Sequence, residues 1–174
     1  MSLVQTVANH SLIGHGGFWH DPAFLPPFAV ATTCHFATIF WLYVAEFNRE
    51  PTQANLINIG SAQLAVGQMV AHGVRKNRPA NGNLALNAGS VLIFYATPTA
   101  GHSCVAIGPQ TCAGYNQTGW WTLGGANHGY SAHPTSQLQW GLGVNKHKVQ
   151  YAAHWYELYE VPEGMARAML RQMA

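Results

Sequence analysis

The hydrophobic period of this chain changes once, near residue 89, and that change restricts the folds open to it. Upstream, in "ATTCHFATIFWLYVAEFNRE", Phe36, Ile39, Phe40, Tyr43, Val44 and Phe47 recur at the three-and-four spacing of an amphipathic helix. Thr32 or Thr33 suits its N-cap, and "NREP" ends it. Residues 51–75 continue the helical period: Pro51 fits a first turn, and Leu56, Ile57, Leu64, Met69, Val70 and Val74 form the apolar face. Gly60 and Ser61 mark where that stretch would divide in two. Downstream the runs shorten. "SVLIFYA", "HSCVAIG" and "TCAGYNQ" are strand-length and are bounded by Gly and Pro turns. "VQYAAHWYELYEV" supplies one or two late strands, and Pro162 opens a short C-terminal helix, "EGMARAMLRQM". Helices first, then an antiparallel meander, then a closing helix is an α+β order. Residues 1–30 read as an irregular arm, 75–89 as a loop and 120–146 as a long surface loop. With no repeat or linker, one domain over 1–174 is expected.

Composition narrows the function classes. Only 8% of residues are charged, against about 25% in an average protein. The eight basic residues are scattered and the formal charge is +2, so no stripe for nucleic acid is present. No apolar run approaches the roughly 18 residues of a membrane span. The N-terminus lacks the basic start and compact apolar core of a signal peptide. Three cysteines without a CxxC motif point to a reduced thiol with a task rather than to a disulfide framework.

Cys34 is placed for such a task. It falls in the first turn of the apolar helix, where unpaired N–H groups and the helix dipole favour thiolate over thiol. The alternative is a small buried hydrophobe, as free cysteines often are. His102, at the mouth of a central strand, is the candidate base; otherwise it is a strand-edge polar residue. The next strand should return antiparallel and bring Asn116 beside His102, where its carbonyl can fix the imidazole tautomer. Otherwise Asn116 is a turn former ahead of Gly119, and His128 or His133 becomes the residue to consider.

Together "TTCHFATIFWLY", "GSVLIFYATPTAGHSCVAIG" and "TCAGYNQ" resemble the papain-like NlpC/P60 and CHAP hydrolases over roughly the middle half of the chain. The cysteine motif departs from that family, which carries "DCS" or "QC" where this chain has "TCH". The resemblance implies a papain-like α+β core, N-terminal helices packed on an antiparallel sheet, and a Cys–His–polar triad. It also implies hydrolysis of amide bonds, typically in peptidoglycan peptides. Carried over, Cys34 is the nucleophile, His102 the base and Asn116 the orienting residue, with no metal or other cofactor. Papain-like domains also serve as translocated bacterial toxins that act as proteases or deamidases on target-cell proteins. A compact domain with few charges and no signal peptide is similar to such an effector, secreted or delivered into a target cell. That reading brings a cognate immunity protein as a partner.

In this mechanism the Cys34 thiolate attacks a carbonyl carbon, and its own backbone N–H is a donor to the oxyanion. His20 or His35 is a candidate second donor. Trp120 and Trp121 are expected to wall the cleft and contact substrate. Three rival readings remain. His10, His15 and His20 recur every five residues, a spacing that does not stack on a helix and lacks an HExxH partner, so a metal site is not expected. Trp120, Trp121, Trp140 and Trp155 would be the platforms of a non-catalytic glycan- or peptide-binding module. Cys104 shares the His102 strand but lacks a helix dipole, and reads with Cys112 as a sheet residue.

Overall fold

The computed structural model describes residues 1–11, 33–116 and 129–174. Helix α2 (Thr33–Phe47) is apolar around its whole circumference, so it can be stable only with neighbours on every side. From Cys34 to Ala45 every residue is buried. The three-and-four spacing marks only its bulkiest face, and Ala37, Thr38, Leu42 and Ala45 pack on the others. Helices α1 (Leu3–Asn9), α4 (Ala62–Met69) and α5 (Glu163–Met173) surround it, and a sheet closes the remaining side. Helix α3 (Gln53–Ile59) is divided from α4 at Gly60, as the sequence suggests. Trp41, fully buried, lies between α2 and the sheet: its ring meets Tyr115 and Tyr130, and its Nε1–H donates to the His10 carbonyl at 3.1 Å. On the other flank Glu46 accepts from Arg167 and Arg171 and ties α5 to α2.

The expectation of an irregular arm over 1–30 is corrected at its start, because residues 3–9 are the helix α1. Ser2 and Gln5 form a reciprocal cap, each side chain engaging the other residue's backbone N–H. Glu163, at the start of α5, accepts from the Leu3 N–H and holds α1 in place.

The strands are β1 (Val74–Lys76), β2 (Val91–Ala96), β3 (Thr99–Gly108), β4 (Thr111–Asn116), β5 (Gly129–Pro134), β6 (Val149–Tyr151) and β7 (His154–Val161). They form an antiparallel sheet in the order β1-β7-β2-β3-β4-β5, with β6 paired to the first residues of β7. The loops expected over 75–89 and 120–146 are therefore each corrected in part. The first begins in β1. The second contains β5 and two short 3-10 turns, at 135–137 and 143–145. Both strands lie at sheet edges and none of their described side chains is fully buried, so no packed face demands an alternating apolar pattern.

Alternation along the strands sorts the core into two layers. Val91, Ile93, Val105, Ala113 and Val161 face the helices. Leu92, Phe94, Cys104, Cys112 and Leu158 face the other way, under Leu84, Leu86, Leu138 and the β6 residues Val149 and Tyr151. The protein is α+β, with N-terminal helices on an antiparallel sheet and a short C-terminal helix.

Candidate active site

The ladder between β3 and β4 runs only from Gly108↔Thr111 to Val105↔Ala113. Beyond it the two strands part while β4 stays paired with β5. Ala106 N–H donates to Ser90 on the β2 side, so by alternation the N–H groups of Ser103 and Val105 point towards β4. At Ser103 the place of a β4 carbonyl is taken by Cys34. Its sulfur accepts from the Ser103 N–H and is also approached by the N–H groups of Cys34 and His35 at the start of α2. The helix N-terminus is thus docked into the split edge of the sheet.

A buried polar network holds it there. The His35 ring bonds the Ser103 hydroxyl through Nδ1 at 2.9 Å and the Ala100 carbonyl through Nε2 at 3.0 Å. A carbonyl only accepts, so Nε2 carries the proton and Nδ1 accepts from Ser103. Thr38 joins its hydroxyl to Ser103 at 2.9 Å and to the Cys34 carbonyl at 3.2 Å. These contacts give the His35 ring a structural task, so the sequence reading of it as an oxyanion donor is corrected: both ring nitrogens are engaged with the sheet.

The thiol departs from expectation in its acidity. Burial pushes the Cys34 pKa up to about 11, outweighing the three N–H groups that pull it down. The helix terminus favours thiolate, but the loss of water around a sulfur that is 4% exposed outweighs it. Alkylation of Cys34 in the folded protein is accordingly expected to accelerate nearly tenfold per pH unit from about pH 7 to about pH 10, following the thiolate fraction. Cys104 should react more slowly still, since burial and then the Cys112 thiol beside it raise its pKa well above the ordinary value. Peptide mapping after iodoacetamide treatment reads both rates. A Cys34 rate that is flat above pH 7 would show a thiolate already formed.

His102 is not at a strand mouth, which corrects that expectation. It is the fourth residue of β3 and fully buried, because β2 and β3 pair right up to Ala96↔Thr99 and β3 therefore starts at Thr99. Its ring lies on the face away from the helices, stacked on Tyr151 at 4.1 Å and edge-on to Phe94 at 5.2 Å. Cys34 and His102 thus meet the same stretch of β3: the thiol at its open edge beside Ser103, the imidazole one residue earlier. Extending the β3–β4 register places Asn116 opposite His102, but the ladder has already opened there and Asn116 pairs through its backbone with Gly129. Trp120, Trp121, His15, His20 and His128 lie outside the described residues. His133 is engaged elsewhere on β5, between Ser131 and Gln137.

A cleft of about 380 Å³ opens along the same strand, lined by Gln63, Ala96, Thr99, Gly101, His154, Trp155 and Tyr156. None of these side chains is a carboxylate, lysine or arginine. Gly101 is required at this point, since a Cβ would lie 2.3 Å from the Tyr156 ring, which rests directly on the strand. Burial, and after it the nearby Cys34 sulfur, raises the Tyr156 phenol pKa. From sequence, Trp155 is expected only as a platform of a binding module. "HWY" follows a tight turn at the positive-φ residues Ala152 and Ala153, and this exposes its aromatic rings.

The class defined so far is an α+β protein whose central helix presents a cysteine to the split edge of an antiparallel sheet, next to a cleft lined by Trp155 and Tyr156. No family model, curated protein or solved structure matches this chain.

Proposed function

We propose that this chain is a thiol-dependent amide-bond hydrolase of papain-like type, with Cys34 as nucleophile and His102 as base; Asn116, expected from sequence as the orienting residue, lies beyond the end of the β3–β4 ladder. Its substrate is a peptidoglycan peptide, and it acts as a bacterial effector or toxin. The observation that carries this reading is the docking of Cys34 at the opened β3 edge, with the N–H groups of Cys34, His35 and Ser103 directed at its sulfur. In this reading the Cys34 backbone N–H, with that of His35 or Ser103, turns to the oxyanion as it forms beside the sulfur. With the thiol held neutral by burial, a preformed ion pair is not the resting state. His102 takes the proton as sulfur attacks and returns it to the leaving amine, and water then cleaves the thioester, releasing the acid and restoring the thiol. The cleft at Gly101 and Tyr156 receives the uncharged part of the substrate.

The test is incubation with purified peptidoglycan and mass analysis of released fragments, beside a Cys34→Ala control. Fragments ending at one peptide or amide bond, absent from the control, support the hydrolase. The buried neutral thiol favours one other reading, a binding module built on Trp155 and Tyr156. Wild type and Cys34→Ala sedimenting equally with peptidoglycan, and neither releasing fragments, would select it.

A further inference from the structure

The segment 141–148, which joins the 3-10 turn region to β6, is a protrusion with a fixed internal shape. Gly141 N–H donates to Lys148 O at 3.0 Å and closes its base; Asn145 and Lys146 bond back to Leu142 and Gly143 within it. Gly143 adopts a φ of +58°, and a Cβ at Gly141 would lie 2.6 Å from Asn145 and 2.9 Å from Trp155, so the two glycines set the turn and seat it on β7. At its summit stand Leu142, 81% exposed, and Val144, 95% exposed. Nothing in the loop forces them outward for lack of order, since the backbone bonds that hold them there are made.

The charge around this tip is mostly positive. Five of the chain's eight lysines and arginines, Arg75, Lys76, Arg78, Lys146 and Lys148, belong to it or to the adjoining β1 segment. Arg78 N–H donates to His147 Nδ1 at 3.2 Å and joins the two segments. Arg75 and Lys76 are balanced by Glu157 and Glu160. Among the described residues no carboxylate forms an ion pair with Arg78, Lys146 or Lys148.

We propose that this tip is an anchor for an anionic lipid bilayer: Leu142 and Val144 enter the acyl boundary while Arg78, Lys146 and Lys148 meet the headgroup phosphates. Leu142 and Val144 stand almost free of neighbours, so the tip suits a surface that yields around it rather than a rigid groove. Its apolar residues are aliphatic, so they gain nothing by stacking on bases or sugars, whereas aliphatic transfer and clustered cations are the two terms that drive interfacial binding. Two such side chains leaving water supply about a hundredfold in partition, and the cations make the anchor selective for negative lipid.

Sedimentation of the full chain with vesicles tests it, using phosphatidylcholine alone and with phosphatidylglycerol as about one third of the lipid. Binding is expected only to the anionic vesicles and should weaken when salt rises from about 0.1 M to about 0.5 M. L142S/V144S should lower the partition at least tenfold, and K146Q/K148Q should weaken it several-fold. All four positions are on the surface, so thermal melts of the variants should match wild type and confirm intact folds. No binding to anionic vesicles, or binding that survives L142S/V144S, overturns the proposal. Retention on heparin that is indifferent to L142S/V144S, without vesicle binding, would assign the cations to a soluble polyanion and overturn it equally.

Discussion

His102→Phe is expected to fold and to release no peptidoglycan fragments, and Cys34→Ala is expected to do the same. Each loss should be about a thousandfold or more, and the double variant should be no slower than either single, because groups that move one proton in one step are lost together. Phenylalanine is the informative choice. His102 is fully buried, stacked on Tyr151 and edge-on to Phe94, so alanine would leave a void costing about 2–4 kcal/mol and confuse unfolding with inactivity. Phe retains the ring stack and removes both nitrogens. A packing role for His102 would survive that substitution; a proton-transfer role would not. If His102→Phe cleaves at the wild-type rate, the imidazole is a core ring and the base must be sought elsewhere. If both singles lose only part of the activity and the losses add, Cys34 and His102 do not share a step.

How far the sequence carries towards this site depends on which forces act locally. The α2 period, the strand runs at 90–116 and the helix after Pro162 are local patterns, and the structure has all three. The capping pair of α1 was also present as Ser2 and Gln5, but it precedes only a seven-residue helix, and a short helix leaves too little period to detect. Edge strand β5 lacks alternation because neither of its faces is fully covered, its described side chains being half-buried or exposed. The position of Cys34 in the helix was legible; its acidity was not, because burial is set by β3 and the helices around it, which come from distant parts of the chain. The same holds for His35. As a neighbour of Cys34 in sequence it suggested chemistry, and only the approach of Ser103 and Ala100, more than sixty residues away, assigns both of its nitrogens. Asn116 illustrates the limit of register: counting along the hairpin sets it opposite His102, yet the strands separate before that point.

Lowering the pH from 7 to 4 should destabilise the protein through His35 by about 3 kcal/mol. Burial depresses its pKa from 6.5 to about 4, against a smaller opposing pull from the Ala100 carbonyl. The folded pKa lies below the unfolded one, so between pH 6.5 and about 4 the unfolded chain takes up a proton that the folded chain refuses. Stability is therefore complete above about 6.5, falls through that window, and loses nothing further from this group below about 4. Other groups titrate over the same range, so the measurement is a difference: urea midpoints of wild type and His35→Gln at several pH values. The variant should be less stable at pH 7, having lost a fitted donor and acceptor, yet its stability should fall less steeply on acidification. The two curves should converge near pH 4. Parallel curves would mean that His35 is not held neutral. Convergence would tie acid sensitivity to the site itself, because the neutral tautomer is what accepts from Ser103, and the Ser103 backbone is what faces the Cys34 sulfur.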